Sequence, residues 1–552
     1  MTNVLQRAKA WLEDPYYDEA SKAEVQKLLQ HPDQLTDAFF TDLSFGTGGL
    51  RGIMGAGTNR INIYTIRKAT QGLANYIQKK GDPAKGVVIG FDSRLHSSEF
   101  AREAALVLMG NKIRVFFIPE LRPTPYVSFA CRHLGAQAAI MITASHNPKE
   151  YNGYKVFWQD GGQVVPPHDT GIIAEVDAIT SPQQIHLSDS PVTDCLLDAA
   201  YLEEVAKLFP KEDRSTLKIS YTSLHGTGIT LMPSALQQAG FASPHLVASQ
   251  VVPDGNFPTV HFPNPEYLET LKAGMDDLIQ TGGDLLIATD PDADRLGIAV
   301  QHRNTPVRLT GNEQAALAAY FLCQQKLPQR PAIVTTIVTT ELLKVIAAAY
   351  GVACIEVLTG FKYIGEKIHE WEQKPDSYNF LFGAEESYGY LLGTHARDKD
   401  GIVAGCLFAE IAFKMKQQGR TLVDLLHEIY ERFGVYRERQ FSLTFEDGKK
   451  GLDTIHNLMK TLRATPTIAG LKVTATQDFM KEGQGLPLSD VLLFRLEDQS
   501  KIIIRPSGTE PKLKVYLATQ SSDPSVEQGL RQCDARLDFL TQTLKAALQA
   551  VK

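Results

Sequence analysis

The chain has 552 residues, 43% hydrophobic and 22% charged, the make-up of an ordinary soluble globular protein too long for one core. A net charge of −7 without any basic stripe argues against a nucleic-acid partner. Cys131, Cys195, Cys323, Cys354, Cys406 and Cys533 form no C-x-x-C pair, so neither zinc nor a disulfide framework is expected. The N-terminus lacks the apolar core of a signal peptide, and no run reaches the ~18 apolar residues a membrane helix needs. A cytoplasmic enzyme is the expectation.

Apolar spacing of three to four predicts helices over 4–12 and 23–29. Phe45-Gly-Thr-Gly-Gly-Leu-Arg51-Gly52 reads as a glycine-rich turn whose open amides can face oxygen atoms. A helix over 65–79, a strand over 87–90 running into Asp92-Ser93-Arg94, a helix over 97–109 and a strand over 114–118 follow. Arg122-Pro-Thr-Pro125 reads as a rigid turn. The apolar run 138–142 predicts a buried strand, broken by Thr143-Ala-Ser145-His146-Asn-Pro148. That puts Ser145 where a hydroxyl can leave the scaffold, with Lys155 ten residues on. Alone, a serine beside a histidine is most often a turn residue. Residues 178–196 read as a linker.

The same alternation then returns: a helix over 199–208, a strand over 217–220, the turn 224–228, a helix over 232–239 and a Pro/Asn-rich loop over 254–266. Strands alternating with helices predict mixed or parallel sheets covered by helices, with sites outside the strand ends. After the buried run 284–288 comes Asp290-Pro-Asp292-Ala-Asp294-Arg295. At ~5 Å each pair of these carboxylates repels by about 1 kcal/mol in water and about 3 at an effective dielectric of 20. A divalent cation explains such a loop. An EF-hand is excluded, because its sixth and twelfth positions hold Arg295 and Gln301. An oxygen-only donor set with room for one more ligand favours Mg2+.

A third unit carries helices over 313–325 and 340–349, strands over 332–337 and 380–382, and two motifs. These are Thr359-Gly360-Phe-Lys362 and Gly383-Ala-Glu385-Glu-Ser387-Tyr-Gly389. Two adjacent carboxylates and a serine on a glycine-flanked loop suit sugar hydroxyls. His395, Arg397 and Lys399 form a local positive cluster, and helices over 401–417 and 421–433 follow. The last part has a helix over 450–463, strands over 470–475, 491–496, 501–504 and 512–518, and a helix over 525–551. Its Arg505-Pro-Ser507-Gly508-Thr509 is a good oxyanion cradle, since a guanidinium fork matches phosphate.

T-A-S-H-N-P, D-P-D-A-D-R and R-P-S-G-T-E-P, in this order, resemble the alpha-D-phosphohexomutase superfamily, the phosphoglucomutases and phosphomannomutases. The resemblance runs from about Phe45 to Tyr516. It implies four domains around a central cleft (1–197, 198–308, 309–434 and 435–552), three similar α/β units and a smaller α+β lid. It implies a phosphoserine at Ser145, with Arg51, His146 and Lys155 as catalytic candidates. Mg2+ would sit on Asp290, Asp292, Asp294 and the Ser145 phosphate. Arg295, Thr359, Gly360, Lys362, Glu385, Ser387, Arg397 and Lys399 would hold the sugar phosphate, and Arg505, Ser507, Gly508 and Thr509 its distal phosphate. Glucose 1,6-bisphosphate is the implied activating intermediate. Phosphomannomutase-like members show Gly-His in the third unit and a histidine after Glu-x-Ser, where this chain has Gly360-Phe361 and Gly389. That points to the phosphoglucomutase branch, with phosphopentomutase and phosphomannomutase as alternatives. A sugar-phosphate binder that has lost catalysis would be expected to have damaged one of these motifs, and all are intact. Neither a monomer nor a dimer is favoured.

Overall fold

The computed structural model describes residues 2–46, 48–188, 190, 192–445, 449–481, 485–507 and 512–549. The chain divides into two compact units. One comprises Met1–Leu309, Phe361–Ser377 and Ser387–Gln417; the other comprises Thr310–Gly360, Tyr378–Glu386 and Gln418–Lys552.

In the first unit β1 (Gly49–Ile53), β2 (Val87–Phe91), β3 (Val115–Phe117), β4 (Ala138–Ile142) and β5 (Tyr151–Trp158) form a sheet ordered β1-β5-β4-β2-β3. It is parallel across β3-β2-β4 and antiparallel across β4-β5-β1. β2 and β4 are apolar and buried throughout, as strands covered on both faces must be. Val87, Ile89 and Ile140 pack with helices Ile63–Lys80, Ser97–Gly110 and His168–Asp177 in one core. Helix Thr124–His133 also packs on β2 and β4, with Val127 set close against Gly90.

A second sheet of β6 (Ile219–Thr222), β7 (His245–Leu246), β8 (Leu285–Thr289), β9 (Leu296–His302) and β10 (Thr305–Leu309) is ordered β10-β9-β8-β6-β7. It repeats the first sheet's order and its parallel and antiparallel senses. One connection differs. The outer antiparallel strand precedes the others in the first sheet and follows them in the second, which helps to hide the repeat from the sequence.

In the second unit β11 (Pro331–Thr336) pairs in parallel with β12 (Ala353–Val357) and β13 (Asn379–Glu385), the same trio again. β14 (Gly389–Leu391) belongs to the first unit. β15 (Val435–Thr444), β16 (Thr467–Ile468), β17 (Leu471–Asp478), β18 (Leu492–Leu496), β19 (Lys501–Pro506) and β20 (Lys512–Ser521) form an antiparallel sheet ordered β15-β20-β19-β18-β17-β16. Helices Lys449–Leu462 and Val526–Gln549 share its core. The expected fold class, similar α/β units with a smaller α+β domain, is the fold observed.

Helices Leu268–Thr281 and Phe361–Glu372, the β9–β10 hairpin, β12 and β15 were not predicted. β15 lacks an apolar run because its interior residues are only half buried. The expected glycine-rich turn also needs correction. From Gly49 onward its backbone is β1, the edge strand paired with β5. All six cysteines are free, and no described helix is long and apolar enough to cross a membrane.

Candidate active site

The three aspartates leave the end of β8 in a turn where Ala293 adopts φ 49°. Their side chains are all but fully buried, and oxygens from the three lie within 4.8 Å of one another. Burial, followed by the charges of Asp292 and Asp294, pushes the Asp290 carboxyl well above its ordinary range. Burial would raise Asp294 too, but Lys155, Lys399 and Arg295 outweigh it and hold that carboxyl well below normal. Asp292 Oδ1 and Asp294 Oδ1 are buried without a hydrogen-bond partner. Buried carboxylate oxygens of this kind call for a ligand, and an all-oxygen trio fits a hard divalent cation.

Ser145 sits at the matching point after β4, with φ 53° and 3% exposure. Its Oγ donates to Asp290 Oδ2 at 2.9 Å and lies 3.1 Å from His146 Nδ1. Thr143 Oγ1 accepts from the Ser145 amide at 2.8 Å, and the Arg94 guanidinium donates to the carbonyl of Ser145 at 2.6 Å. His146 is held neutral, first by burial and then by Arg295 and Arg51, which drive its pKa well below the usual imidazole value. Arg51 projects from β1 to Asn147 Oδ1 at 3.0 Å.

Two lysines meet the Asp turn. Lys155 Nζ, from β5, lies 2.8 Å from Asp292 Oδ2 and 3.0 Å from Asp294 Oδ2. Burial works against its charge, but Asp292 and Asp294 overcome that and raise its pKa. Lys399 Nζ lies 3.1 Å from Asp294 Oδ2. Its stem runs past Gly389, where a Cβ would fall 2.1 Å from Lys399 Cδ. Thr124 completes the wall, giving its hydroxyl to Asp292 Oδ2 at 2.7 Å and its amide to the Asp292 carbonyl at 2.8 Å. Arg295 donates its amide to Asp290 Oδ1 at 2.9 Å and pairs with Glu266.

Arg397 departs from expectation. Its side chain has no exposed surface, and its guanidinium is bound to the carbonyls of Thr394 and Ala396 and to Glu372. Lys362 opens helix Phe361–Glu372, where burial lowers its pKa. Ser387 lies just before β14, and buried His395 pairs with Asp400 at 2.7 Å.

In the second unit Glu385 ends β13, in the strand and not in the loop expected for it. Its Oε1 accepts from the Gly360 amide at 3.0 Å. Thr359 Oγ1 is buried without a hydrogen-bond partner. Arg505 closes β19 opposite Lys514, and the Ser507 amide bonds the Lys512 carbonyl at 2.7 Å. Gly508 and Thr509 lie outside the described residues.

Four family models match in order: phosphoglucomutase/phosphomannomutase alpha/beta/alpha domains I at 42–183, II at 199–303 and III at 310–433, and the C-terminal domain at 471–533. The chain belongs to the phosphoglucomutase/phosphomannomutase family. It is 37% identical over 504 residues to a phosphoglucomutase of Staphylococcus haemolyticus, covering 87% of this chain and 91% of that one. It is 38% identical over 479 residues to a probable phosphomannomutase of Haemophilus influenzae, covering 85% and 94%. A crystal structure of a phosphomannomutase-like protein from Thermus thermophilus shares the fold at 23% identity and TM-score 0.68, covering 90% and 99%. As a member of this family the chain is a hexose-phosphate mutase, an isomerase that moves a phosphoryl group.

Sequence reasoning passed over Arg94 and Thr124. The first was legible as D-x-R at the end of a buried strand, the second as a threonine between prolines. Neither pattern says which loop it will meet.

Proposed function

We propose that this mutase is a phosphoglucomutase, interconverting α-D-glucose 1-phosphate and glucose 6-phosphate through phosphorylated Ser145 and glucose 1,6-bisphosphate. The observation that carries the reading is the meeting of the Ser145 hydroxyl with Asp290, 2.9 Å apart in a buried acidic site. The Ser145 O–P bond breaks as a bond forms from phosphorus to the free sugar hydroxyl's oxygen, and that hydroxyl's proton ends on the Ser145 oxygen that leaves. The bisphosphate turns over and returns its other phosphate to Ser145.

Phosphoryl transfer asks the protein mainly for position and charge. Asp290, Asp292 and Asp294, with a phosphate oxygen on Ser145, would hold Mg2+, which stabilises charge on the transferring group. Arg51 and Arg295 add positive charge at the same loops. Lys155 is assigned the proton transfer at the reacting oxygen. His146 Nδ1, 3.1 Å from the Ser145 oxygen, lies within reach of the proton that oxygen gains or loses. Thr359, Gly360, Lys362, Glu385, Ser387 and Lys399 are assigned to the sugar phosphate, and Arg505 and Ser507 to the phosphate not in transit. Six free cysteines support a cytoplasmic placement.

Ser145→Ala should lower turnover by at least about 10^4-fold, and intact-mass spectrometry should find one phosphate on the wild type and none on the variant. Near-normal turnover in Ser145→Ala sinks the covalent route. Relative kcat/KM for glucose 1-phosphate, mannose 1-phosphate and ribose 1-phosphate decides the sugar.

A further inference from the structure

We infer that Arg94 is the positioning residue of the nucleophile loop, fixing the left-handed backbone at 145 that aims the hydroxyl at the Asp turn. One guanidinium collects four carbonyls of that loop. One terminal nitrogen donates to Ser145 at 2.6 Å and to Asn147, the other to Pro148 at 2.8 Å and Tyr151 at 3.0 Å. The loop curls around a single cation. A non-glycine residue at φ 53° needs such over-determination to persist.

Arg94 is itself gripped from both sheets. On its own side, Asp92 Oδ1 accepts from the Arg94 amide at 2.9 Å and from Ser97 Oγ at 2.8 Å, while Asp92 Oδ2 lies 3.5 Å from Arg94 Nε. Asn152, at the head of β5, donates to Ser97 Oγ at 3.0 Å. From the second sheet's loop 254–266, the Phe257 ring lies 4.9 Å from the guanidinium carbon. Gly255 comes so close that a Cβ there would sit 2.5 Å from the Leu95 amide nitrogen. The turn holding the nucleophile is therefore braced by the domain that supplies the carboxylates. A lysine keeps the charge but cannot span four carbonyls, because its charge is a point and not a fork.

The inference rests on Ser145 being the phosphate carrier, and the test separates the two. Arg94→Lys is compared with wild type for kcat, KM and the share of phosphoserine lost to water instead of sugar. A misaimed loop should lower kcat about 100-fold with KM within about three-fold, since a displacement of ~1 Å costs roughly that much. The hydrolysed share should rise, which a loss of folded protein alone would not cause. An Arg94→Lys enzyme with kcat within about three-fold of wild type and an unchanged hydrolysed share overturns the inference. If wild type takes up no phosphate on Ser145, the function reading falls instead. Should Arg94→Lys show no cooperative melt, Ser97→Ala serves. It keeps the guanidinium but removes one of the two donors that hold Asp92 Oδ1, and should raise the hydrolysed share and lower kcat about ten-fold. Unchanged values there overturn the inference equally.

Discussion

The turn after β4 and the turn after β8 occupy the same place in two sheets of the same strand order, yet they carry opposite chemistry. Each holds one non-glycine residue in the left-handed region, Ser145 at φ 53° and Ala293 at φ 49°. The first turn wraps its carbonyls around a buried guanidinium and presents a hydroxyl. The second presents three buried carboxylates. Neither is complete within its own sheet. Lys155 and Thr124 of the first sheet's domain neutralise and hold the second turn, and Phe257 of the second covers Arg94. A shared strand order supplies two equivalent loops, and exchange of partners between them makes a single site.

The comparison breaks most easily at Asp292, whose Oδ2 takes both Thr124 and Lys155. Asp292→Asn should cut kcat about 10^3-fold at saturating Mg2+. A loss under ten-fold would mean that the second turn is only structural. Lys155→Met tests the exchange from the other side. Without a divalent ion the variant leaves Asp292 and Asp294 short of a buried partner, and chemical denaturation should show about 3 kcal/mol less stability. Millimolar Mg2+ should restore most of it; no recovery would argue that the trio does not bind the ion.

The smallest effect concerns His146. In the unfolded chain it takes up a proton near pH 6.5, whereas in the folded chain it does so only well below that. The unfolded state therefore binds more protons below about pH 6.5, and stability is lost as pH falls there. His146→Gln removes that slope. It should gain about 1 kcal/mol relative to wild type on going from pH 7.5 to pH 5.5, read from urea midpoints. An unchanged difference would show that the imidazole is solvated and charged.

Much of this was legible beforehand because buried parallel strands write continuous apolar runs, and 87–90, 138–142 and 284–288 each led straight to a functional turn. The charged D-x-D-x-D loop announced a cation by its own repulsion. Legibility stopped where a residue's role depends on a partner distant in sequence. Arg94 and Asn147 are 53 residues apart, and Thr124 and Asp292 are 168 apart. Arg397 shows the converse: the resemblance sets it at the sugar phosphate, and its guanidinium meets two carbonyls and a glutamate. Glu385 was placed in a loop because glycines flank it, but the ladder with β11 extends through Ala384.

The absence of a side chain at 389 also constrains how this chain can change. The stem of Lys399 fills the volume that any Cβ there would claim. An imidazole or even a methyl group at 389 can be accommodated only after the lysine withdraws from Asp294. A larger residue at 389 therefore acts on the aspartate turn through the lysine, without touching a carboxylate itself.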